Sequence, residues 1–367
     1  MAISNYSILK NVLRNWLLVK DCFDSNLGYR CLDAEIRLNW ECNARCKMCG
    51  LYNYIAKHDQ KRKVNLSLDE VKNVVRDLSS LGCTHLTLSG GEPTLSPILT
   101  DVIDFAAQEG MEIALNTNGY LLDEAYIVRL IEAGLKRFTF SIDSPIEAQH
   151  DEIRGLKGCF QHICNAIDVI NKYNMKNGTK IYILVNCVLL KENIRNVDKF
   201  IYFYEKHHFD YINFSPASIG TLWDQWTTPK NELRSDIEDV LYFKKEVFPL
   251  LKEYNWPLKI SDPYEGEERI ADNIKSIFSY TPNKCYVPFF HTVIQSNGDV
   301  IPCCYTDDGF TMGNIREMSL QEIWNNEKYK CFRESAKGEH KMDMCQSCRQ
   351  YMNINNVIDA KRKSEEK

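Results

Sequence analysis

Between about residues 33 and 214 the chain alternates short β-rich runs with longer stretches whose apolar positions recur every three or four residues. The short runs are AEIRLNW, THLTLS, EIALNT, RFTFSID, KIYILVNCVLL and DYINFS. Strands separated by helices at this rhythm predict parallel βαβ units. The helices carry their own punctuation. Ser67 and Glu70 form a capping-box pair ahead of the stripe Leu68, Val71, Val75 and Leu78, and Gly82 stands where a left-handed closing residue is wanted. Ser96 and Pro97 open the next helix and Gly110 closes it, while Asp123 and Gly134 frame a third. The loops after LTLS, LNT and SID therefore fall at the carboxyl ends of strands, where parallel α/β folds gather ligands. Strand alternation sets Thr139, Ser141 and Asp143 on one face and Phe138, Phe140 and Ile142 on the other. On the fifth strand Asn186 and Val188 point inward, opposite to Cys187.

Residues 215–284 break the rhythm with a helix predicted from about 231 to 253 and stretches rich in Trp, Tyr, Pro and acidic residues. This segment either covers a pocket mouth or packs its aromatics on the outside of the preceding unit. After Cys285, FFHTVIQSNGDVIPCC predicts a hairpin turning at Asn297 and Gly298, followed by a helix near 319–334 and the pair in CQSC. The chain thus divides into an N-terminal extension (1–32), a βα core (33–214), a bridging segment (215–284), a small α+β domain (285–356) and a charged, frayed tail (357–367).

Composition narrows the function. With 367 residues, a formal charge of -5, 44% hydrophobic and 26% charged residues, the chain is ordinary for a globular protein. The mild acidity offers phosphate backbones no attraction, so nucleic acid is not an expected partner. No apolar run is long enough for a signal peptide or a membrane span, which predicts a cytoplasmic protein without a membrane partner. Residues 6–18 can form a short amphipathic helix, with Leu9, Val12, Leu13 and Trp16 packing on the domain.

Fifteen cysteines are many for a reducing compartment, where clustered cysteines bind metal more often than they pair. Cys22, Cys31, Cys83, Cys159, Cys164, Cys187 and Cys331 sit singly and read as small buried hydrophobes. Cys42, Cys46 and Cys49 do not: C-x3-C-x2-C directly follows the first strand. A closed zinc site wants a fourth N or S ligand close by. His58 is nine residues on in a basic run and Cys83 lies beyond a helix. Three thiolates around a 4Fe-4S cluster would leave one iron open to a small molecule; a zinc loop on an unrelated α/β protein is the alternative.

CNARCKMC resembles the cluster motif of the radical S-adenosylmethionine (SAM) superfamily, in which the amino and carboxylate groups of SAM chelate the open iron. The resemblance continues downstream in order. Gly90, Gly91, Glu92 and Pro93 are similar to the second-strand motif that meets the methionine amino group, where glycines allow close backbone approach and a carboxylate favours an ammonium. Asn118 in NTNG, and Ser141 and Asp143 in FSIDS, resemble positions that bind the ribose and methionine portions. The resemblance aims Arg154 of HDEIRG at the SAM carboxylate and sets Asn186 and Val188 near the nucleoside. Met48 departs from the pattern where many members carry an aromatic beside the last cysteine; a thioether can serve adenine there. The implied fold is a partial (β/α)6 radical SAM barrel.

Cys285, Cys303, Cys345 and Cys348 could hold zinc in a ribbon-like site. Alternatively, C-x17-C with G-x4-C, then MGNIREMSLQEIWNNEKY and C-x2-C, resembles the SPASM or twitch domains that carry auxiliary 4Fe-4S clusters. With no cysteine after Cys348, one auxiliary cluster held by all four is expected. Cys304 is left over as a structural thiol, a spare ligand or a hydrogen-atom donor.

The resemblance implies reductive cleavage of SAM to a 5'-deoxyadenosyl radical, electrons from an external donor such as a flavodoxin or ferredoxin, and electron transfer through the auxiliary cluster. Two substrate classes follow. Peptide maturases of this kind often carry an N-terminal recognition module, and only 41 residues precede Cys42, too few for one. The preferred expectation is therefore oxidation or epimerisation of a hydroxyl- or amine-bearing small molecule of sugar or cyclitol type. Modification of a ribosomally made peptide is the alternative. A non-catalytic iron-sulfur carrier would need none of the SAM-contact motifs.

Overall fold

The Ser67 hydroxyl accepts from Glu70 N while the Glu70 carboxylate takes Ser67 N, so helix Leu68–Ser80 starts where its capping pair dictates. In the computed structural model, residues 16–25, 30–51, 64–217, 233, 235–257, 284–304, 306, 310–338, 342, 345, 355 and 358 are described. The stripe of residues 6–15, His58, most of the bridging segment, Cys348 and all of the tail except the buried Ile358 lie outside them.

Six parallel strands run in sequence order: β1 (Asp33–Arg37), β2 (His85–Ser89), β3 (Glu112–Thr117), β4 (Leu135–Ser141), β5 (Tyr182–Leu189) and β6 (Tyr211–Pro216). Helices Leu68–Ser80, Leu99–Gln108, Glu124–Glu132, Cys159–Asn177 and Phe200–His207 return the chain between them. Their apolar stripes bury Val71, Val75, Leu78, Val102, Ile103, Ile127 and Ile163 against Ala34, Ile36, Leu86, Leu88, Leu115, Phe138 and Phe140. Each fully buried aliphatic side chain of this kind contributes roughly 1.5–3 kcal/mol relative to exposure.

The opposite face of the strands is polar. Asp33, Glu35 and Arg37 of β1 lie on it, and its base is plugged by charge: Asp33 Oδ2 meets His291 Nδ1 at 2.5 Å, and Glu112 lies 3.7 Å from Arg137 and 3.9 Å from His85. Nearer the carboxyl ends, Ser141, Asn186 and Asn213 stand in register on β4, β5 and β6, each partly open. On β5 the alternation read from the sequence matches this burial, and on and just after β4 Phe138, Phe140 and Ile142 pack in the helix-side core as expected, although Thr139 and Asp143 opposite them are buried too.

The C-terminal part does not hang from a linker. β7 (His291–Ile294) pairs parallel with β1, and β8 (Asp299–Ile301) and β9 (Gly313–Asn314) follow antiparallel, giving one nine-stranded sheet in the order β6-β5-β4-β3-β2-β1-β7-β8-β9. The hairpin turns at Asn297–Gly298 as the sequence predicts, with Gly298 at φ 90°. Two contacts pin this module to helix Leu68–Ser80: Arg316 forks onto Glu70 at 2.5 and 3.3 Å, and Leu320 N donates to Asp77 at 2.9 Å.

Several elements differ from expectation for local reasons. The helix expected from about 231 begins at Ile237 because Asp236 and Asp239 form a capping box there, and it widens through one π turn at Phe243–Val247. The helix expected near 319–334 is two, Leu320–Asn325 and Glu327–Ala336, since Asn326 caps the second through Tyr329 N. After Ser96 and Pro97 the helix begins only at Leu99. Cys331 is exposed rather than buried, because Tyr329, Phe332, Arg333 and Ala336 take the inner face of its helix. Cys31, Cys83, Cys159, Cys164 and Cys187 are buried. Among the described residues no helix is long and apolar enough to cross a membrane.

Candidate functional site

The loop bearing Cys42, Cys46 and Cys49 leaves the carboxyl end of β1 and is clamped from both sides. On one side the chain after β2 zips onto it: Leu38 N donates to Ser89 O at 2.9 Å, Gly91 N to Asn39 O at 2.7 Å and Glu92 N to Glu41 O at 2.7 Å. On the other side Arg45 N donates to Arg154 O and Lys47 N to Ile153 O, both at 2.9 Å, at the end of helix Glu147–Arg154. Lys47 adds ion pairs to Glu152 and Glu192 at 2.7 and 2.9 Å. The loop's position is thus set by backbone bonds before any metal is considered.

These clamps explain the glycines differently from the sequence reading. A Cβ on Gly90 would lie 2.6 Å from Asn39 O, and one on Gly91 would lie 2.2 Å from Glu41 O. The close approach that demands glycine is to the cysteine loop itself. Gly155, which the sequence reading did not single out, has the same duty on the far side, at φ 56° with a Cβ position 2.6 Å from Arg45 O.

Glu92 is buried and already engaged. Its Oε1 accepts from Thr94 N and from the Thr94 and Thr117 hydroxyls at 3.1, 2.6 and 2.6 Å, and Oε2 from Asn118 N at 2.8 Å. Burial holds its carboxyl above the usual range despite these donors. Oε2, with a single protein donor, keeps acceptor capacity for a ligand. Pro93 opens a short 3-10 turn, Pro93–Leu95, behind it. Asn118 Nδ2 donates to Asn43 Oδ1 at 2.7 Å, and the buried Asn43 Nδ2 has no protein partner, a donor left over beside the triplet.

Asp143 is fully buried, with Oδ2 2.6 Å from Arg154 Nε and Oδ1 accepting from Val188 N at 2.9 Å. Its carboxylate is turned to Arg154 and to the backbone N–H of Val188 rather than to the open side of the sheet, where the resemblance implied a ligand contact. Arg154 Nη1 in turn stands 3.7 Å from Cys46 Sγ. Ser141 and Asn186 face the open side of the sheet, and Met48 sits partly exposed in the loop.

The donor set suits an iron-sulfur centre. Burial, then the neighbouring Cys46, pushes the Cys42 thiol up to about 11 and also raises Cys49. Such thiols stay neutral until a metal displaces their protons. Among the described residues no three Cys, His, Asp or Glu side chains converge on one point. The arrangement is a fixed backbone cradle with soft ligands around it.

The second set is built more loosely. Cys285 N donates to Ala336 O at 2.8 Å and its Sγ accepts from Asn355 at 3.8 Å. Cys285 and Cys303 both pack against the apolar cluster of Val19, Phe23, Leu32, Tyr286, Phe289 and Phe290. Cys345 packs instead against the main core, and Cys304 is half-buried next to Cys303. Cys348 lies outside the described residues.

An open parallel half-barrel with a three-thiol loop at the end of β1, extended through β7 by a cysteine-bearing module, defines a cluster-dependent α/β enzyme. Family comparison agrees: the radical SAM superfamily model matches residues 41–203, and that of the iron-sulfur cluster-binding SPASM domain matches 285–349. The chain thus carries a radical SAM domain followed by a C-terminal SPASM domain, so it is an enzyme that uses SAM and two 4Fe-4S clusters. An AdoMet-dependent heme synthase of Methanosarcina barkeri is 26% identical over 86% of this chain and 89% of its own length. A cysteine-type anaerobic sulfatase-maturating enzyme of Clostridium novyi is 26% identical over 84% and 83%. The crystal structure of Streptococcus suis SuiB bound to the precursor peptide SuiA shares the fold, with a TM-score of 0.64 at 15% identity over 91% of this chain and 80% of that one.

Proposed function

We propose that the protein modifies a peptide or protein side chain by abstracting hydrogen from it. The observation that carries this reading is the Clostridium novyi relative, whose name states that it matures a sulfatase and which aligns along most of both chains. SuiB adds the fold alone. The sugar- or cyclitol-type substrate expected from the sequence draws no support from these relatives. The Methanosarcina barkeri relative supports a second reading, a tetrapyrrole substrate.

In this proposal Cys42, Cys46 and Cys49 would hold the SAM-binding cluster, and Cys285, Cys303, Cys345 and Cys348 the auxiliary one, with Cys304 a structural neighbour. SAM beside a reduced cluster supplies a 5'-deoxyadenosyl radical. Gly90, Gly91 and Pro93 would shape the wall against the methionine end, and Glu92 Oε2 would take its ammonium. Arg154, held by Asp143, would meet the carboxylate. Asn118, Ser141 and Asn186 would line the ribose side, Met48 would pack on the adenine, and Val188 N steadies Asp143. A flavodoxin or ferredoxin would supply the electron.

The test is isotopic. Reconstituted, reduced protein is given SAM with a side-chain-deuterated peptide library, deuterated aminocyclitols or a deuterated coproporphyrin. Deuterium in 5'-deoxyadenosine from the peptides is expected. Transfer only from a cyclitol or a tetrapyrrole would replace the substrate class.

A further inference from the structure

Arg154 is engaged on two sides by the protein itself. Its Nε pairs with Asp143 Oδ2 at 2.6 Å, and its Nη1 is directed at Cys46 Sγ at 3.7 Å, within reach for a hydrogen bond to sulfur. Its backbone carbonyl accepts from Arg45 N, one residue before that same cysteine. Arg154 is therefore tied to the cysteine loop twice, by its side chain at Cys46 and by its backbone at Arg45.

Asp143 is itself immobilised. Val188 N donates to Oδ1 at 2.9 Å, Asn193 Nδ2 donates to the Asp143 carbonyl at 2.7 Å, and Asp143 N donates to His150 Nδ1 at 3.2 Å. That last bond needs a neutral imidazole. Burial, reinforced by Arg154, pushes His150 down to about 3 and keeps it neutral. The buried carboxylate, held by Val188 N at Oδ1 and ion-paired to Arg154 Nε at Oδ2 on a backbone that is itself tied down, orients a planar guanidinium that a flexible ammonium could not replace.

A cationic donor at a ligating sulfur stabilises the reduced cluster more than the oxidised one, because the reduced form carries one more negative charge. We propose that Arg154, oriented by Asp143, is a positioning residue for the N-terminal cluster: it donates to Cys46 Sγ and raises the reduction potential of that cluster whether or not SAM is present. This duty differs from meeting the SAM carboxylate, and it rests on the assignment of Cys46 as a cluster ligand.

EPR-monitored redox titration of the reconstituted full-length protein tests it, the N-terminal signal being the one that SAM alters. In SAM-free protein the Arg154→Lys variant, which keeps a cation beside Asp143 but lacks the fork, should titrate at lower potential than wild type. The double variant Arg154→Gln with Asp143→Asn removes both charges together, leaves no lone buried ion and should titrate lower still. The auxiliary signal should not move. An unchanged N-terminal potential in both variants would overturn the inference, since a purely structural or SAM-only role predicts that result. Wild-type protein with no SAM-responsive cluster would overturn the ligand assignment and this inference with it, while deuterium transfer remains a separate question.

Discussion

The two cysteine sets are solved by the fold in opposite ways. The N-terminal three lie within eight residues, and their loop is held by four backbone hydrogen bonds from the GGEP loop and the end of helix Glu147–Arg154. The C-terminal set is drawn from positions spread over residues 285–348, with Cys285 fixed at a helix end, Cys303 behind a hairpin and Cys345 on another core. Three ligands in one loop need only a rigid backbone, and the loop can be shaped before metal arrives. Ligands far apart in sequence carry a larger loop-closure entropy, so there the metal does more of the folding. On the proposed assignment, the site that would admit SAM is the one whose scaffold is prebuilt.

The sharpest way to break this contrast is Gly91→Ala. A methyl group 2.2 Å from Glu41 O cannot be relieved by a side-chain rotation, so the cysteine loop must move. Iron affinity at the N-terminal site and 5'-deoxyadenosine formation should each fall by ~10- to 100-fold, while the auxiliary EPR signal persists. Equal loss of both clusters would show that the clamp is not local.

The complementary change is Cys303→Ala. Iron and sulfide should drop by roughly half, as one of two four-iron clusters is lost. Cleavage of SAM should continue within about threefold of wild type, while product formation falls by ~10-fold or more. SAM cleavage abolished in a folded protein would make the two sites interdependent.

The smallest effect concerns the tie between them. Arg316 holds the Glu70 carboxyl down at about 2, with Ser67 assisting. A carboxyl depressed in the folded state stabilises fully above its unfolded value, near 4.5, and that stabilisation is lost as pH falls towards 2. Both side chains are about a third exposed, so solvent screening limits the contribution to ~1 kcal/mol or less. Glu70→Gln should lower thermal stability slightly at pH 7 and by a smaller amount at pH 2.5. An equal loss at both pH values would assign the effect to the lost helix cap instead.

What could be read in the sequence was local. The capping box of Ser67 and Glu70, the hairpin turn at Gly298 and the alternation on β5 each depend on residues within a few positions of one another, and each stands as expected. The cysteine triplet and GGEP were visible for the same reason. What was missed connects distant parts: Lys47 with Glu192 across 145 residues, Arg154 with Cys46 across 108 and Arg37 with Gln295 across 258. Gly155 carried a faint signal, a glycine closing a helix; its partner Arg45 did not. The reason for Gly90 and Gly91 was misread because spacing shows that a backbone needs room without showing against what.

The pairing of β7 with β1 bears on any attempt to dissect the protein. A fragment ending near residue 284 would not be a barrel freed of an appendage. It would expose the ladder groups of the strand that delivers the triplet, turning an interior strand into a sticky margin ready to recruit another chain. Truncation would thus convert a catalyst into an aggregate before it could report on the need for the second cluster.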